Sequence, residues 1–468
     1  MESSFDLIII GSGPGGYIAA IRGAQLGYKT AIIERYPVLG GTCTNVGCIP
    51  SKAMLDSTEL YYSILHKAPR KGIIATDVSL NFAELVQRNR HVVKQNTDGL
   101  DYLMKKNKIQ VYHGLGSFID KDHVQVTDLN GAVTILSSKF FIIATGSKPS
   151  TLPGVVIDKK RIITSTEALY LSEKPKSMVI IGGGVIGVEM ASVFNRIGTK
   201  VTIIEYSNGL LPAMDKELGK ELQRIITRQG VEVITGHSVI QTINEGNSVK
   251  VSYQDREGKL QLSESDYCLV AVGRHPYTEN LGIENTAVTL DEKGRVIVDV
   301  QLRTTQHNIY AIGDVIGGAM LAHKAEDEAV VVVDSIHGQS SRIHYSRIPN
   351  VVYTWPEVAG VGYTEQQLIE EKIEYRKGKF PFIASGRARA SDDTEGFVKV
   401  LTDPKYGEIL GVHIVGARAA DLIAEAVLAM EFEITDTELG RISYAHPTFS
   451  EALKDAYLAA SGRGALNM

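Results

Sequence analysis

Two stretches of the chain, 171 residues apart, carry the same pattern of glycines and apolar residues. Residues 7–34 read LIIIGSGPGGYIAAIRGAQLGYKTAIIE, and residues 178–205 read MVIIGGGVIGVEMASVFNRIGTKVTIIE. Gly11, Gly13, Gly16 and Glu34 of the first fall on Gly182, Gly184, Gly187 and Glu205 of the second. A continuous apolar run predicts a strand buried on both faces of a parallel sheet. The glycines then open a helix, and a second strand ends in an acid, so each stretch is a complete βαβ unit. A chain with two such units is predicted to be α/β, with two Rossmann-like dinucleotide-binding domains.

Each glycine has its own physical task. The first permits a tight turn, the second lets backbone approach a diphosphate, and the third lets helix and strand pack closely. The helix N-terminus directs free N–H groups and the positive end of its dipole at the phosphates. The closing acid is expected to accept ribose hydroxyls. Two dinucleotide sites on one chain point to FAD and a nicotinamide cofactor. Glu205 would repel a 2′-phosphate, and Tyr206-Ser207-Asn208 supplies no arginine to bind one, so NAD is expected rather than NADP. The apolar runs FFIIATGSKP (140–149) and YCLVAVGRHP (267–276) read as the closing strands of the two domains. In NIYAIGDV (308–315), Asp314 follows a strand and a glycine and is placed to reach a flavin ribityl hydroxyl.

The texture changes near Arg347, where short alternating strands mix with amphipathic helices and no phosphate loop occurs. An α+β oligomerisation domain is expected there. The boundaries read as 1–147 (FAD domain), 148–275 (NAD domain), 276–346 (central segment completing the FAD site) and 347–468 (interface domain). A formal charge of −5 argues against nucleic acid as the main partner. No apolar stretch is long enough to span a bilayer. The opening MESSFDLIIIGSG reads as a first strand rather than a targeting peptide. With only three cysteines, the chain reads as cytoplasmic, in a reducing compartment.

That makes the close pair Cys43 and Cys48, in GGTCTNVGCIPSK (40–52), conspicuous. A helical pattern begins at Ala53-Met54-Leu55, and a helix start nearby would favour a reactive thiolate. A disulfide closing so short a loop adds little stability, and no partner pair with zinc spacing is near, so redox chemistry is the reading. Cys268 lies in an apolar strand and reads as an inert core thiol. Near the C-terminus, AHPTFSEALKDAY (445–457) places Pro447 at the expected first turn of a helix, with His446 just before it. Glu451 is in reach to orient His446 as a base for thiol chemistry.

The motif GGTCTNVGCIPSK resembles the active-site segment of pyridine nucleotide–disulfide oxidoreductases with a Cys-x4-Cys disulfide. The order of motifs is also similar to that family's across essentially the whole chain. Ile49-Pro50-Ser51-Lys52 and Met320-Leu321-Ala322-His323 resemble its dihydrolipoamide dehydrogenase branch, the E3 enzymes. The alternatives are a reductase of glutathione-like disulfides and a non-catalytic flavoprotein module. The resemblance implies that Cys43 is the interchange thiol, that Cys48 lies against the flavin, and that His446 and Glu451 form the base. It implies FAD contacts at Gly11, Gly13, Pro14, Gly15, Gly16, Glu34, Arg35, Gly41, Thr42, Lys52, Gly114, Thr145, Gly146, Ser147, Asp314, Met320, Leu321, Ala322 and His323. For NAD it implies Gly182, Gly183, Gly184, Val185, Ile186, Gly187, Glu189, Glu205, Val239 and Gly273, and it implies no metal. Its implied partners are a second copy of the chain, lipoyl domains and the acyltransferase (E2) subunit of 2-oxoacid dehydrogenase complexes, and the lipoyl carrier of glycine cleavage. Two departures stand out. Thr44 replaces a usual leucine, expected to be tolerated in a loop, and Tyr444 replaces a usual histidine, expected to alter the hydrogen bonding behind His446.

Overall fold

In the computed structural model, which describes residues 3–339 and 342–467, the first apolar run forms strand Ser3–Ile10. It pairs in parallel with Thr30–Glu34 on one side and Val133–Ile143 on the other. Leu7, Ile8, Ile9 and Ile32 are fully buried, which is why the strands read as unbroken apolar runs. Burial of each such side chain contributes about 1.5–3 kcal/mol. Gln110–His113 extends the sheet beyond Thr30–Glu34. The first half of Val133–Ile143 continues into an antiparallel meander with His123–Thr127 and Leu115–Phe118. Strand Ile309–Ala311, from the segment expected to complete the FAD site, joins in parallel beside Val133–Ile143. These elements belong to one unit, Met1–Ala53 with Val86–Ser150 and Gly273–Ile343.

The second unit comprises Met54–Leu85, Thr151–Val272 and His344–Met468. Its parallel sheet runs Glu232–Thr235, Lys200–Glu205, Ser177–Ile181, Tyr267–Val270 and Ile162–Ile163. The C-terminal part holds an antiparallel sheet in the order Asn350–Val352, Glu357–Gly362, Ile409–Gly416, Phe397–Thr402 and Arg376–Pro381. Helices Ala419–Glu431 and Glu451–Ala460 share its apolar core, in which Ala426, Ala456 and Tyr457 are fully buried.

Two charged networks tie this second unit together. Lys399, fully buried, places Nζ 2.8 Å from Asp215, 2.8 Å from Glu365 and 3.1 Å from Glu217. Asp215 also caps helix Lys216–Arg228, so the network fastens that helix to the antiparallel sheet. Elsewhere Arg196, at the end of helix Val185–Arg196, meets Glu59 at 3.2 Å and the Leu55 carbonyl at 3.3 Å. Glu59 pairs with Lys67 at 2.8 Å, and Lys67 lies 5.2 Å from the ring of Trp355. The Trp355 indole donates to Asp393 at 3.0 Å. Among the described residues no helix is long and apolar enough to cross a membrane.

Candidate active site

The two glycine loops have nearly the same geometry. Gly11 takes φ 103° and Gly182 φ 109°, a left-handed conformation that a side chain rarely adopts. A Cβ at Gly16 would lie 1.9 Å from the Gly11 carbonyl oxygen, and one at Gly187 would lie 2.0 Å from that of Gly182. By contrast, a Cβ at Gly13 or Gly184 would meet nothing within 4 Å. The third glycine is therefore demanded by the protein itself, whereas the second keeps an open cradle at the start of helices Pro14–Gln25 and Val185–Arg196. Neither helix has a side-chain cap, so its first N–H groups face that space. The residues fit a dinucleotide diphosphate at both loops.

The closing acids also lace the loops together. Glu34, only 4% exposed, accepts from Ser12 N at 3.1 Å, Ser12 Oγ at 2.5 Å and Tyr36 N at 2.9 Å. Glu205 accepts from Gly183 N at 2.5 Å and Ser207 N at 2.6 Å. A carboxylate offers about four lone-pair positions, so both acids retain capacity for a ribose hydroxyl. Gly114 donates to the Glu34 carbonyl at 2.8 Å, and the Arg35 guanidinium lies 5.0 Å from the Tyr277 ring.

The redox segment is anchored on the first loop. Gly40 N donates to the Ser12 carbonyl, and a Cβ on Gly41 would lie 2.7 Å from Gly13 Cα. A short helix, Gly41–Val46, carries Thr42 and Cys43, and Gly47 breaks it before helix Cys48–His66. At Gly47 a Cβ would meet the Thr42 carbonyl oxygen at 2.8 Å. The second helix thus starts at Cys48 itself, five residues ahead of the expected Ala53, and places that thiol at a helix N-terminus. Thr44 is buried in the short helix, not in a loop, and a Cβ on Gly40 would lie 2.5 Å from Thr44 Cβ.

Cys43 and Cys48 are both in the thiol form. A hydrogen bond with Cys48 and then burial push the Cys43 thiol far up, while the Cys48 amide and Lys52 oppose this. Lys52 lies one helical turn beyond Cys48. Thr145 donates to the Tyr277 carbonyl at 2.6 Å, and the Gly146 carbonyl accepts from Tyr277 N. Ser147 Oγ donates to Asp314, on the turn Gly313–Val315. Met320 and Leu321 lead into helix Ala322–Ile336, whose first turn holds Ala322 and His323. The sequence reading missed Arg274. Its Nε donates to Ser147 Oγ at 2.7 Å and lies 4.0 Å from Asp314. Burial lowers the Arg274 pKa, while Asp314 and Cys48 oppose that shift. Its one signal was its place directly after a strand-ending glycine.

In the second unit, Val185 and Ile186 open the helix behind Gly182, Gly183 and Gly184. Glu189, 3% exposed, accepts from Tyr353 N at 2.9 Å, a partner no motif announced. Val239 lies on strand Ser238–Asn244 beside a register shift. Gly273, expected with the NAD residues, belongs to the first unit. His446 Nδ1 lies 2.8 Å from Glu451 Oε1, and Thr448 N donates to Glu451 Oε2 at 2.8 Å. Burial raises the Glu451 carboxyl, but the Thr448 amide and His446 together hold it below its ordinary value. The helix begins at Glu451, not at Pro447, which sits in the preceding loop. The His446 ring remains 78% exposed. Tyr444 donates to Glu425 at 2.6 Å rather than to His446 or Glu451, so it supports the histidine's surroundings from a distance. Cys268 is fully buried and its thiol is pushed up to about 12 by burial, as expected of an inert core residue. Among the described residues no cluster of metal ligands occurs.

Comparison with known proteins places this geometry. Residues 5–329 match the pyridine nucleotide-disulphide oxidoreductase model, and residues 348–457 match the dimerisation domain of the same family. The chain is 46% identical over 461 residues to a mitochondrial dihydrolipoyl dehydrogenase of Schizosaccharomyces pombe, covering 98% of this chain and 90% of that protein. It is 45% identical over 455 residues to dihydrolipoyl dehydrogenase 1 of Arabidopsis thaliana, covering 97% and 90%. Among solved structures, LpdA of Mycobacterium tuberculosis superposes with a TM-score of 0.90 at 26% identity, over 97% of this chain and 99% of that one. The flavoprotein disulfide reductase RclA of Escherichia coli gives 0.87 at 29% identity, covering 98% and 99%. Two glycine cradles, a cysteine pair at a helix start and full-length similarity together make this chain a member of the pyridine nucleotide–disulphide oxidoreductases, a family of enzymes that use FAD and NAD.

Proposed function

We propose that the chain is a dihydrolipoyl dehydrogenase that oxidises protein-bound dihydrolipoamide with NAD⁺ as acceptor. The observation that carries this reading is the Cys43–Cys48 pair, set at a helix start against a dinucleotide loop. Glu451 accepts from His446 Nδ1–H, a tautomer assigned from the hydrogen-bond network, which leaves Nε2 to take the proton of a substrate thiol. The resulting thiolate attacks Sγ of Cys43 in the oxidised pair, the Cys43–Cys48 bond breaks, and Cys48 leaves as thiolate. The second lipoyl sulfur then attacks the mixed disulfide, closing the lipoyl ring and releasing Cys43 reduced. FAD, when bound, supplies the path that takes the electron pair from Cys48 to NAD⁺. Glu205, whose carboxylate is fixed by two backbone amides, selects NAD over NADP by repelling a 2′-phosphate.

The active form is proposed to be a homodimer in which His446 of one copy serves the cysteine pair of the other. The dimerisation-domain match, the exposure of the His446 ring, and exposed Leu428, Phe432 and Ile442 on the same domain support this. Lipoyl domains and the E2 subunit of 2-oxoacid dehydrogenase complexes, or the glycine-cleavage lipoyl carrier, are the proposed partners. The proposed compartment is the cytoplasm, on the cysteine count; several relatives are named as mitochondrial, and fractionation of the native source distinguishes the two.

The test is anaerobic titration of the purified holoenzyme with dihydrolipoamide. A long-wavelength thiolate-to-flavin band should appear and should discharge on adding NAD⁺. A C48S enzyme that still reduces NAD⁺ at the parent rate overturns the reading. A panel of lipoamide, glutathione and cystine decides between this activity and that of a reductase for other disulfides.

A further inference from the structure

A buried ion pair grips the turn bearing Asp314. Lys324 and Glu328 stand one turn apart on helix Ala322–Ile336, with side chains 1% and 0% exposed and Nζ 2.8 Å from Oε1. The other carboxylate oxygen of Glu328 accepts from Gly313 N at 2.7 Å. Lys324 Nζ donates to the Gly313 carbonyl at 3.3 Å. Both polar groups of the Gly313 main chain therefore meet this pair, the carbonyl also accepting from Ile316 N at 3.3 Å, and Gly313 itself holds the left-handed φ of 78°.

Two buried charges are a poor source of stability, because dehydrating them offsets most of their attraction and apolar replacements often fold as well. What such a pair supplies is direction. It fixes the backbone from one side, while on the other Ser147 donates to the Asp314 carboxylate and Arg274 donates to Ser147 at 2.7 Å. The Asp314 side chain is thus aimed by contacts on both sides of one three-residue turn.

We propose that Lys324 and Glu328 are positioning residues for the flavin: they set the Gly313 turn so that Asp314 meets the ribityl chain, and so govern how tightly FAD is held. This rests on the reading of Asp314 as a flavin contact. The test measures FAD release from holoenzyme by the rise in flavin fluorescence, alongside global unfolding followed through Trp355 emission. In K324M/E328L, which removes both charges, release should be about tenfold faster or more, while the unfolding midpoint stays within about 3 °C. In K324M/E328Q the amide oxygen still accepts from Gly313, and release should return to within about threefold of the parent. D314A should release FAD at least about tenfold faster.

If D314A releases FAD at the parent rate, the reading of Asp314 fails and the proposal falls with it. If D314A is fast and K324M/E328L is within about twofold of the parent, the proposal alone is overturned, since a lost clamp should exceed that. It is likewise overturned if K324M/E328Q is as fast as K324M/E328L. Should K324M/E328L not yield folded enzyme, the equally uncharged K324L/E328M is read in its place: release about tenfold faster supports the clamp, and release within about twofold of the parent overturns it.

Discussion

The second and third glycines of the NAD loop should fail in opposite assays when each receives one methyl group. At Gly187 a Cβ would sit 2.0 Å from the Gly182 carbonyl oxygen, roughly 1.4 Å inside ordinary contact distance. Helix Val185–Arg196 must then retreat from strand Ser177–Ile181. Overpacking of this kind costs about 1–3 kcal/mol, and a clash with rigid backbone belongs at the upper end. Alanine regains about 0.5–1 kcal/mol of helix propensity there, leaving a net loss of about 2 kcal/mol. For a cooperative unit of about 150–250 residues, that is a drop of roughly 4–8 °C in Tm. At Gly184 the added methyl meets nothing within 4 Å, and φ −75° suits alanine, so G184A should melt within about 1–2 °C of the parent. The same methyl, however, occupies the place where backbone approaches the diphosphate, and KM for NAD⁺ should rise about tenfold or more, or about 1.4 kcal/mol. Calorimetry of each variant together with NAD⁺ titration of dihydrolipoamide oxidation checks both halves. A G184A enzyme with the parent KM, or a G187A enzyme with the parent Tm, refutes the division of labour.

Other substitutions test the remaining structure. Lys399→Met leaves Asp215, 1% exposed, without its cation, and should cost about 3–5 kcal/mol by urea denaturation, with Lys399→Arg recovering part of it. Glu365 is pushed up by burial, but hydrogen bonds from Lys399, Lys377 and Tyr375 bring it down to about 2 from an ordinary 4.5. Its contribution is fully present above pH 4.5 and lost as pH falls towards 2, so a Glu365→Gln variant should show a shallower fall in urea midpoint over that window. Tyr444→Phe removes the 2.6 Å bond to Glu425, so it should lower stability by about 1–3 kcal/mol yet leave the pH–rate profile unchanged, since His446 takes its partner from Glu451.

The parts of this fold legible in the sequence were those where backbone geometry demands a residue type. Gly11, Gly16, Gly182 and Gly187 are fixed by turns and close approaches that no other residue tolerates, and their spacing alone marked both nucleotide units. The cysteine spacing marked the redox segment for a similar reason: the four intervening residues finish the short helix Gly41–Val46 and break it at Gly47, so that a new helix starts at the second cysteine. Helix boundaries were less legible. Pro447 favours a first helical turn, yet the chain runs on in a loop to Glu451, whose carboxylate is used twice, by His446 and by the Thr448 amide. Long-range partners were not legible at all. Arg274 reaches Ser147 across 127 residues, and Tyr353 reaches Glu189 across 164. Lys324 and Glu328 carry the spacing of an ordinary solvent-facing helix pair, and only packing reveals that water is absent.

The network at the end of the redox helix has a practical consequence. The chain has one tryptophan, and its indole is bonded to Asp393 beside the ammonium of Lys67, just past the last turn of the helix that starts at Cys48. That helix is nineteen residues, about 28 Å, long. The ammonium of Lys67 and the carboxylate of Asp393 set the electric field on the indole and hence its emission. Any change in the Glu59–Lys67–Trp355–Asp393 network is therefore readable in intrinsic emission, without any added dye.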